Sequence, residues 1–242
     1  MPNRCWLAAL ALVWLHSAAA QIEAAPLICP PLNAWPRYLR LEYAVTATRS
    51  VLSVDGISVL TMERDGDGYR LQLSLDATGI YHAEQRSRGR LESDALRPER
   101  FDEQRTRRPP LSVAIDWTAK RVSFAANNSS APTQPRLQDR LSLLMQLTRD
   151  LRAQPTADFF EVPVAGRRDI SLYRLTRRGA ETLALPYGRI EAVRLERPAD
   201  EDNDRIEAWY AQAACWMPVR VRYTDRKGGV IDNRLRAVQL QQ

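Results

Sequence analysis

The segment DGDGYRLQLSL, residues 65–75, contains the clearest secondary-structure signal in the chain. Its two Asp-Gly pairs predict a tight hairpin turn, because glycine adopts the positive φ angles that such turns require. In the strand that follows, apolar side chains alternate with polar ones, at Tyr69, Leu71, Leu73 and Leu75. A period of two is typical of a strand with one buried and one solvated face, and therefore of antiparallel sheet.

The same alternation recurs on both sides of this hairpin, for example in residues 38–46 and 218–224. Turn signals such as Asp55-Gly56 and Lys227-Gly228-Gly229 separate the segments, and about a dozen candidate strands result. The sequence therefore predicts a mainly β fold with a single antiparallel sheet. We expect the sheet to be strongly curved or barrel-like, because curling protects its edges. It would form one β-rich domain over residues 38–242.

One amphipathic α-helix is predicted, from about Gln138 to Ala153, and Pro155 ends it. Its apolar residues recur at helical spacing and form one stripe: Leu137, Leu141, Leu144, Met145, Thr148 and Leu151. Packing of this stripe against the sheet is the default interpretation. Contact of Leu144 and Met145 with a lipid-like ligand is the alternative.

Residues 1–20 have the three parts of a secretory signal peptide: the basic Arg4, an apolar stretch, and the small residues Ala18-Ala19-Ala20. An uncleaved anchor is the rival interpretation, but the apolar stretch is shorter than the roughly 20 residues of a membrane span. We expect cleavage before Gln21, a Pro-rich N-terminal segment over residues 21–37, and no transmembrane segment in the mature chain. The predicted location is the periplasm.

Cleavage discards Cys5 and leaves Cys29 and Cys215. An even pair in an exported chain predicts a disulfide, with two unpaired buried thiols as the alternative. These two cysteines and His82 cannot fill a tetrahedral zinc shell without carboxylates from elsewhere, so we predict no metal site.

The net charge of +6 does not predict a nucleic-acid partner. Residues 84–108 hold eight arginines, but six acids accompany them and leave only +2. A surface that follows phosphates needs uncompensated charge and usually stacking aromatic rings.

No catalytic constellation is visible in the sequence. The mature chain has His82 as its only histidine, and it lacks a Gly-X-Ser-X-Gly elbow, a Ser-X-X-Lys pair, a His-Glu-X-X-His helix and a glycine-rich phosphate loop. A pair of carboxylates of the glycosidase kind stays open, because 29 acidic residues are scattered along the chain and the sequence does not show which of them lie close together. We therefore predict a protein without catalytic residues or cofactors.

The spacing of several motifs resembles the bacterial family catalogued as domain of unknown function 3108, over about residues 38–240. The motifs are Ser87-X-Gly89-X-Leu91, Leu96-X-Pro98-X-X-Phe101-X-X-X-Arg105, Ala114-Ile115-Asp116-Trp117, Asp139-Arg140-Leu141-Ser142, residues 181–188, residues 207–211 and residues 218–221. The resemblance implies an exported, single-domain β protein and carries no catalytic residue. A looser similarity in architecture is to periplasmic carriers of the lipoprotein-sorting type.

Two functions follow as hypotheses for a non-catalytic envelope protein. In the first, the curved sheet binds an apolar or amphiphilic ligand, and the helix covers the opening. In the second, the domain is a protein–protein adaptor in envelope assembly or secretion. Exposed rings at Trp209, Tyr210 and Trp216 would suit such an interface, although packing of those rings in the core is the default. A large cavity favours the first hypothesis, and a solid core with an aromatic surface patch favours the second.

Overall fold

The computed structural model describes residues 22–31, 34–78, 81–92, 95–200 and 204–242, and most of these form β-strands. The predicted signal peptide lies outside the described residues. The elements in chain order are β1 (Tyr38–Arg49), β2 (Leu52–Asp65), β3 (Gly68–Ala77), β4 (Tyr81–Leu91), β5 (Leu96–Arg105), β6 (Leu111–Asp116), β7 (Arg121–Phe124), β8 (Ser129–Pro132), β9 (Gln138–Asp139), α1 (Ser142–Ala153), β10 (Phe159–Ala165), β11 (Ile170–Leu185), β12 (Gly188–Arg197), β13 (Arg205–Ala211), a 3-10 turn (Gln212–Ala214), β14 (Met217–Thr224) and β15 (Val230–Gln241).

All of these strands belong to one sheet, with the order 8-7-6-5-4-3-2-1-15-14-13-12-11-10-9. Neighbouring strands are antiparallel except β9 and β10, which pair in parallel. The predicted mainly β fold with one helix is confirmed. The predicted antiparallel sheet is confirmed for every other pair of neighbouring strands, and the parallel pair lies at one edge of the sheet.

The two ends of the strand order approach each other and curl the sheet into a barrel-like shape, without joining in a continuous hydrogen-bond ladder. Two glutamines bridge the gap at Leu96, the first residue of β5. The Gln138 Nε2 donates to the Leu96 carbonyl at 2.8 Å, and the Leu96 N–H donates to Gln146 Oε1 at 2.8 Å. Leu96 lies beyond the part of β5 that pairs with β6, so these side-chain amides supply the partners that its backbone groups would otherwise lack.

Helix α1 lies inside the curled sheet, and the residues of its predicted stripe are buried. It begins at Ser142, four residues after the predicted start. The difference arises at Asp139, whose Oδ1 accepts the N–H groups of Leu141 and Ser142, both at 2.8 Å. These bonds satisfy the free donors of the first turn, so the preceding residues stay extended as β9.

Asp139 also fastens the helix to the sheet. The Ser87 hydroxyl on β4 donates to Asp139 Oδ2 at 2.5 Å, and the Tyr69 hydroxyl lies 3.1 Å from the Ser87 oxygen. The carboxyl is fully buried, and this burial raises its pKa to about 6, although the hydrogen bonds of Ser87 and Ser142 oppose the shift. We call these four residues (Tyr69, Ser87, Asp139 and Ser142) the helix knot.

The helix knot predicts a pH dependence of stability. The unfolded pKa of an aspartate is about 4, and folded Asp139 holds its proton up to about pH 6. The free energy of unfolding should therefore fall by about 3 kcal/mol as the pH rises through this window. Asp139→Asn keeps an oxygen acceptor for the helix N–H groups but does not titrate, so it should lack the fall. Urea denaturation at about pH 4 and about pH 7 gives the free energy of unfolding of the wild type and of Asp139→Asn. If it falls equally in both proteins, groups other than Asp139 cause the pH dependence.

The Pro-rich N-terminal segment contacts the outer side of α1, and we call its described residues, 26–31 and 34–36, the strap. A disulfide joins its Cys29 to Cys215, with a Cα–Cα distance of 5.3 Å, as predicted. The Arg152 guanidinium donates to the Pro30 carbonyl at 2.5 Å, and the Arg149 guanidinium lies 5.3 Å from the centre of the Trp35 ring. The strap therefore holds α1 against the sheet. No helix in the described ranges is long and apolar enough to cross a membrane.

Candidate functional site

Polar side chains gather inside the barrel at one end, which we call the upper end. It is the end at which β5, β12 and β14 finish and the turn between β1 and β2 lies. Side chains alternate along a strand, so Glu103 and Arg105 share the inward face with buried Phe101. Gln85 shares the inward face of β4 with Ser87 in the same way. The polar cluster consists of Gln85, Glu103, Arg105, Arg140, Tyr173 and Tyr223.

The Glu103 carboxylate is the centre of this polar cluster. Its Oε2 accepts the Arg105 Nη2 at 2.6 Å and the Gln85 Nε2 at 2.7 Å, and the Glu103 side chain is only 9% exposed. The Arg140 Nη1 lies 4.0 Å from the same oxygen, beyond hydrogen-bond distance. One carboxylate therefore faces two guanidinium groups, and the cluster carries one positive charge in excess.

Two residues of the cluster, Arg105 and Tyr223, have shifted pKa values. Burial lowers the pKa of the Arg105 guanidinium, but the charge of Glu103 outweighs it, so the pKa lies above its ordinary value. Burial raises the pKa of the Tyr223 phenol, and the charge of Arg140 opposes this shift. At neutral pH the cluster thus offers a neutral phenol and a cationic Arg140 to the interior.

An amphipathic crevice runs from the polar cluster into the barrel, between α1 and strands β11 and β13. Leucines form most of its apolar wall, while Arg140 and Tyr223 stand at its polar side. The residues that line it are Gln85, Arg140, Leu143, Leu144, Leu147, Tyr173, Leu175, Ile206, Ala208 and Tyr223. Its volume is about 30 Å³, which is room for one water molecule.

The Tyr173 side chain, which lines the crevice, contacts the end of β12. The Arg197 guanidinium stacks on the Tyr173 ring, 4.2 Å from its centre. Arg197 is itself buried, donates to the Asp204 carbonyl at 2.7 Å and forms an ion pair with Asp200. The two described ends of the acidic stretch 200–204 therefore anchor an arginine, and residues 201–203 lie outside the described ranges.

Two of the residues that the sequence suggested for a ligand or interface lie near this crevice. Leu144 lines it, and the buried Tyr210 hydroxyl donates to the Leu144 carbonyl at 3.2 Å. Met145 lies on the opposite side of α1, in a crevice of about 20 Å³ under the strap that Trp35 and Cys215 also line. The stripe is thus divided between two sides of the helix.

The suggested aromatic rings do not form an exposed patch. Trp209 lies on the outer face of β13, but the guanidinium groups of Arg220 and Arg222 cover its ring at 4.6 and 5.6 Å. Its Nε1 donates to Glu181 Oε1 at 2.6 Å, and the side chain is 1% exposed. Tyr210 is fully buried, and Trp216 is half-buried next to the disulfide. The surface patch that motivated the adaptor hypothesis is therefore absent at these positions.

The described strands do not bring a nucleophile and a histidine together. His82 lies on the outer face of β4, with its Nδ1 3.9 Å from Asp76 Oδ2. Ser87 lies on the inner face of the same strand, in the helix knot. Among the described residues, no group of three or more histidine, cysteine or acidic side chains is placed to share a metal ion.

A similar fold is known among solved structures. The beta-barrel-like protein of domain of unknown function DUF1849 from Brucella abortus has a TM-score of 0.53 and 11% identity, covering 91% of this chain and 100% of its own. At this identity the likeness shows the fold alone. A DUF1329 family protein from Desulfovibrio piger has a TM-score of 0.33 and 8% identity, covering 85% of this chain and 86% of its own. A putative outer membrane lipoprotein-sorting protein domain from Vibrio parahaemolyticus has a TM-score of 0.29 and 9% identity, covering 87% of this chain and 88% of its own.

No curated protein sequence matches the chain. A family model does match it, over residues 42–235, which include the helix knot and the polar cluster. This range is most of the chain and agrees with the resemblance seen in the motif spacing. The protein therefore belongs to the DUF3108 family of proteins of unknown function.

Proposed function

We propose that the protein is a non-catalytic envelope protein that binds an amphiphile with an acidic headgroup. The headgroup would bind Arg140, and the hydrocarbon chain would lie along Leu143, Leu147 and Leu175. The observation that carries this proposal is the amphipathic crevice itself, which has leucines along its wall and a guanidinium at its rim. Ligand sites typically combine an apolar wall with a few convergent polar groups.

Arg140 is better suited to an incoming anion than Arg105. Arg105 is already hydrogen-bonded to Glu103, whereas Arg140 is 4.0 Å from that carboxylate and keeps 29% of its side chain exposed. A carboxylate or phosphate can accept two parallel hydrogen bonds from one guanidinium. The neutral hydroxyl of Tyr223, which lines the same crevice, can donate a further hydrogen bond to the anion.

The crevice must widen before a hydrocarbon chain enters. Its volume of about 30 Å³ is far below the roughly 300 Å³ of typical ligand sites. Helix α1 supplies Leu143, Leu144 and Leu147 to the wall, so a shift of α1 away from β11 and β13 would open it. In this proposal the strap and the helix knot set how far the helix can move.

We also propose that the protein is exported to the periplasm, with residues 1–20 as a cleaved signal peptide and residues 38–242 as one domain. The disulfide between Cys29 and Cys215 supports an oxidising compartment, since such bonds are rare in the cytosol.

The test is a calorimetric titration of the protein with dodecanoate. Arg140→Gln should weaken binding by about tenfold or more, because it removes a charge-assisted contact worth about 1.5–3 kcal/mol. Arg70→Gln is the matched control, since Arg70 is 69% exposed on the outer face of β3 and should bind as the wild type does. Failure of the wild type to bind dodecanoate or a lysophospholipid, or equal affinity of Arg140→Gln, would contradict the proposal.

A further inference from the structure

The tip of the β1–β2 hairpin exposes two neighbouring aliphatic side chains. Val51 is 96% exposed and Leu52 is 72% exposed, whereas inward residues lower on the same two strands, such as Leu41 and Leu60, are buried. Nothing in the packing of the barrel requires apolar residues at the tip. Surface apolar residues that adjoin one another mark candidate interaction sites.

The hairpin also projects past its neighbour. Strand β3 pairs with β2 as far as Asp76 opposite Ile57, and the Thr78 hydroxyl donates to the Asp55 carbonyl at 3.1 Å, so Leu52–Val54 extend beyond β3. Three residues of strand correspond to about 10 Å. Ser50 adopts the left-handed conformation, with φ of 54°, and closes a tight turn between Arg49 and Leu52. The tip is therefore a narrow ribbon at the upper end, the end at which the polar cluster lies.

Cationic side chains flank this tip. Arg49 is exposed at the end of β1, and the exposed Lys227 lies in the turn between β14 and β15. That turn is adjacent, because Val230 pairs with both Thr48 and Thr224. The nearby Asp225 carboxylate is directed into its own turn, where its Oδ1 accepts the N–H groups of Lys227 and Gly229 at 2.7 and 2.8 Å.

We infer that the Val51–Leu52 tip inserts into the interfacial region of an anionic phospholipid membrane. A specific protein interface buries about 800 Å² on each partner, and two side chains on a narrow ribbon cannot supply that area. Two aliphatic side chains beside cations suit shallow insertion, in which hydrocarbon burial and attraction to anionic headgroups add. The inference goes beyond the proposed ligand site and does not depend on it, although the insertion would turn the upper end towards the lipid.

The experiment is co-sedimentation with vesicles of phosphatidylethanolamine and phosphatidylglycerol. The double variant Val51→Ser with Leu52→Ser should lower the partition coefficient by about tenfold, because the serines bury no hydrocarbon. Ile28→Ser is the matched control: Ile28 is 84% exposed and adjoins Cys29 at the opposite end of the barrel, so it should not affect binding. High salt and vesicles of phosphatidylcholine alone should weaken binding of the wild type.

A fluorophore sensitive to polarity gives an independent readout. Attached at Val51→Cys, its emission should shift to shorter wavelength with anionic vesicles. Attached at Arg70→Cys, near the start of β3 at the opposite end of the barrel, its emission should not shift. The inference is overturned if the serine variant sediments like the wild type or if the label at Val51→Cys does not respond. Cross-linking from position 51 to an envelope protein, without vesicle binding, would assign the tip to a protein partner and also overturn it.

The two proposals can fail separately. The serine variant should bind dodecanoate as the wild type does, because Val51 and Leu52 do not line the crevice. Arg140→Gln should still bind the vesicles, because Arg140 lies inside the barrel.

Discussion

Replacing Leu144 with aspartate is expected to lower the free energy of unfolding by about 4 kcal/mol or more, enough to unfold many domains of this size. Leu144 is 5% exposed on α1 and packs against the sheet, and its carbonyl accepts the buried Tyr210 hydroxyl. A carboxylate at this position would lose its hydration among the leucines that line the crevice. Urea denaturation, followed by far-ultraviolet circular dichroism, measures the loss.

Leu172→Asp is the matched control for this prediction. It introduces the same charge at a leucine that is 62% exposed on β11, so its free energy of unfolding should stay within about 0.5 kcal/mol of the wild type. An unchanged urea midpoint for Leu144→Asp would mean that this face of α1 is in water. It would contradict the placement of the helix inside the curled sheet.

Removing the disulfide is expected to lower the free energy of unfolding by a similar amount. The bond joins residues 186 positions apart, and a loop of this length reduces the entropy of the unfolded chain by an amount worth about 5 kcal/mol. The double variant Cys29→Ser with Cys215→Ser should lose stability of this order, and reduction of the wild type should have the same effect. Cys5→Ser is the control, because the predicted signal cleavage removes Cys5 from the mature protein.

Intact mass of the secreted protein tests the bond and the cleavage together. We expect a chain that begins at Gln21 and is two hydrogens lighter than its reduced form. Free thiols under denaturing, non-reducing conditions would contradict the disulfide. A mass that includes residues 1–20 would contradict the signal peptide.

The alternating pattern of residues 65–75 was sufficient to predict the class of the fold, because burial of one sheet face is a local property of each strand. The curl of the sheet was predicted as well, but the contact that links its two ends was not. It depends on Gln138 and Gln146 reaching the backbone of Leu96, which lies far from both in sequence. The start of α1 was misplaced for a similar reason. The apolar spacing of the helix extends back to Gln138, and only the contacts of Asp139 show that the helix begins at Ser142.

Glycines separated strands less often than the sequence suggested. Asp55-Gly56 was expected to break a strand, but Gly56 lies inside β2. A side chain there would approach the Asp76 carbonyl oxygen to 2.3 Å, so glycine serves the close contact with β3. The turn instead falls at Ser50 and Val51, where composition gave only a weak signal.

The candidate site was the least predictable part of the molecule. Glu103 and Arg140 are ordinary charged residues in the sequence, and only the curl of the sheet brings them within 4.0 Å. The alternation along β4 and β5 did contain a usable signal, because it places the polar Gln85 and Glu103 on the inward face together with Ser87 and Phe101. Trp209 follows the default interpretation, because its ring is buried, in this case under arginines from β14.

The most direct test is a crystal structure of the protein with a fatty acid brominated on its chain, which marks the hydrocarbon by its anomalous signal. We predict bromine density between α1 and β11, beside Leu147 and Leu175, with the carboxylate at Arg140 and the crevice widened from its present 30 Å³. An unchanged crevice without bromine density, at ligand concentrations that saturate any binding in solution, would contradict an amphiphile site inside the barrel.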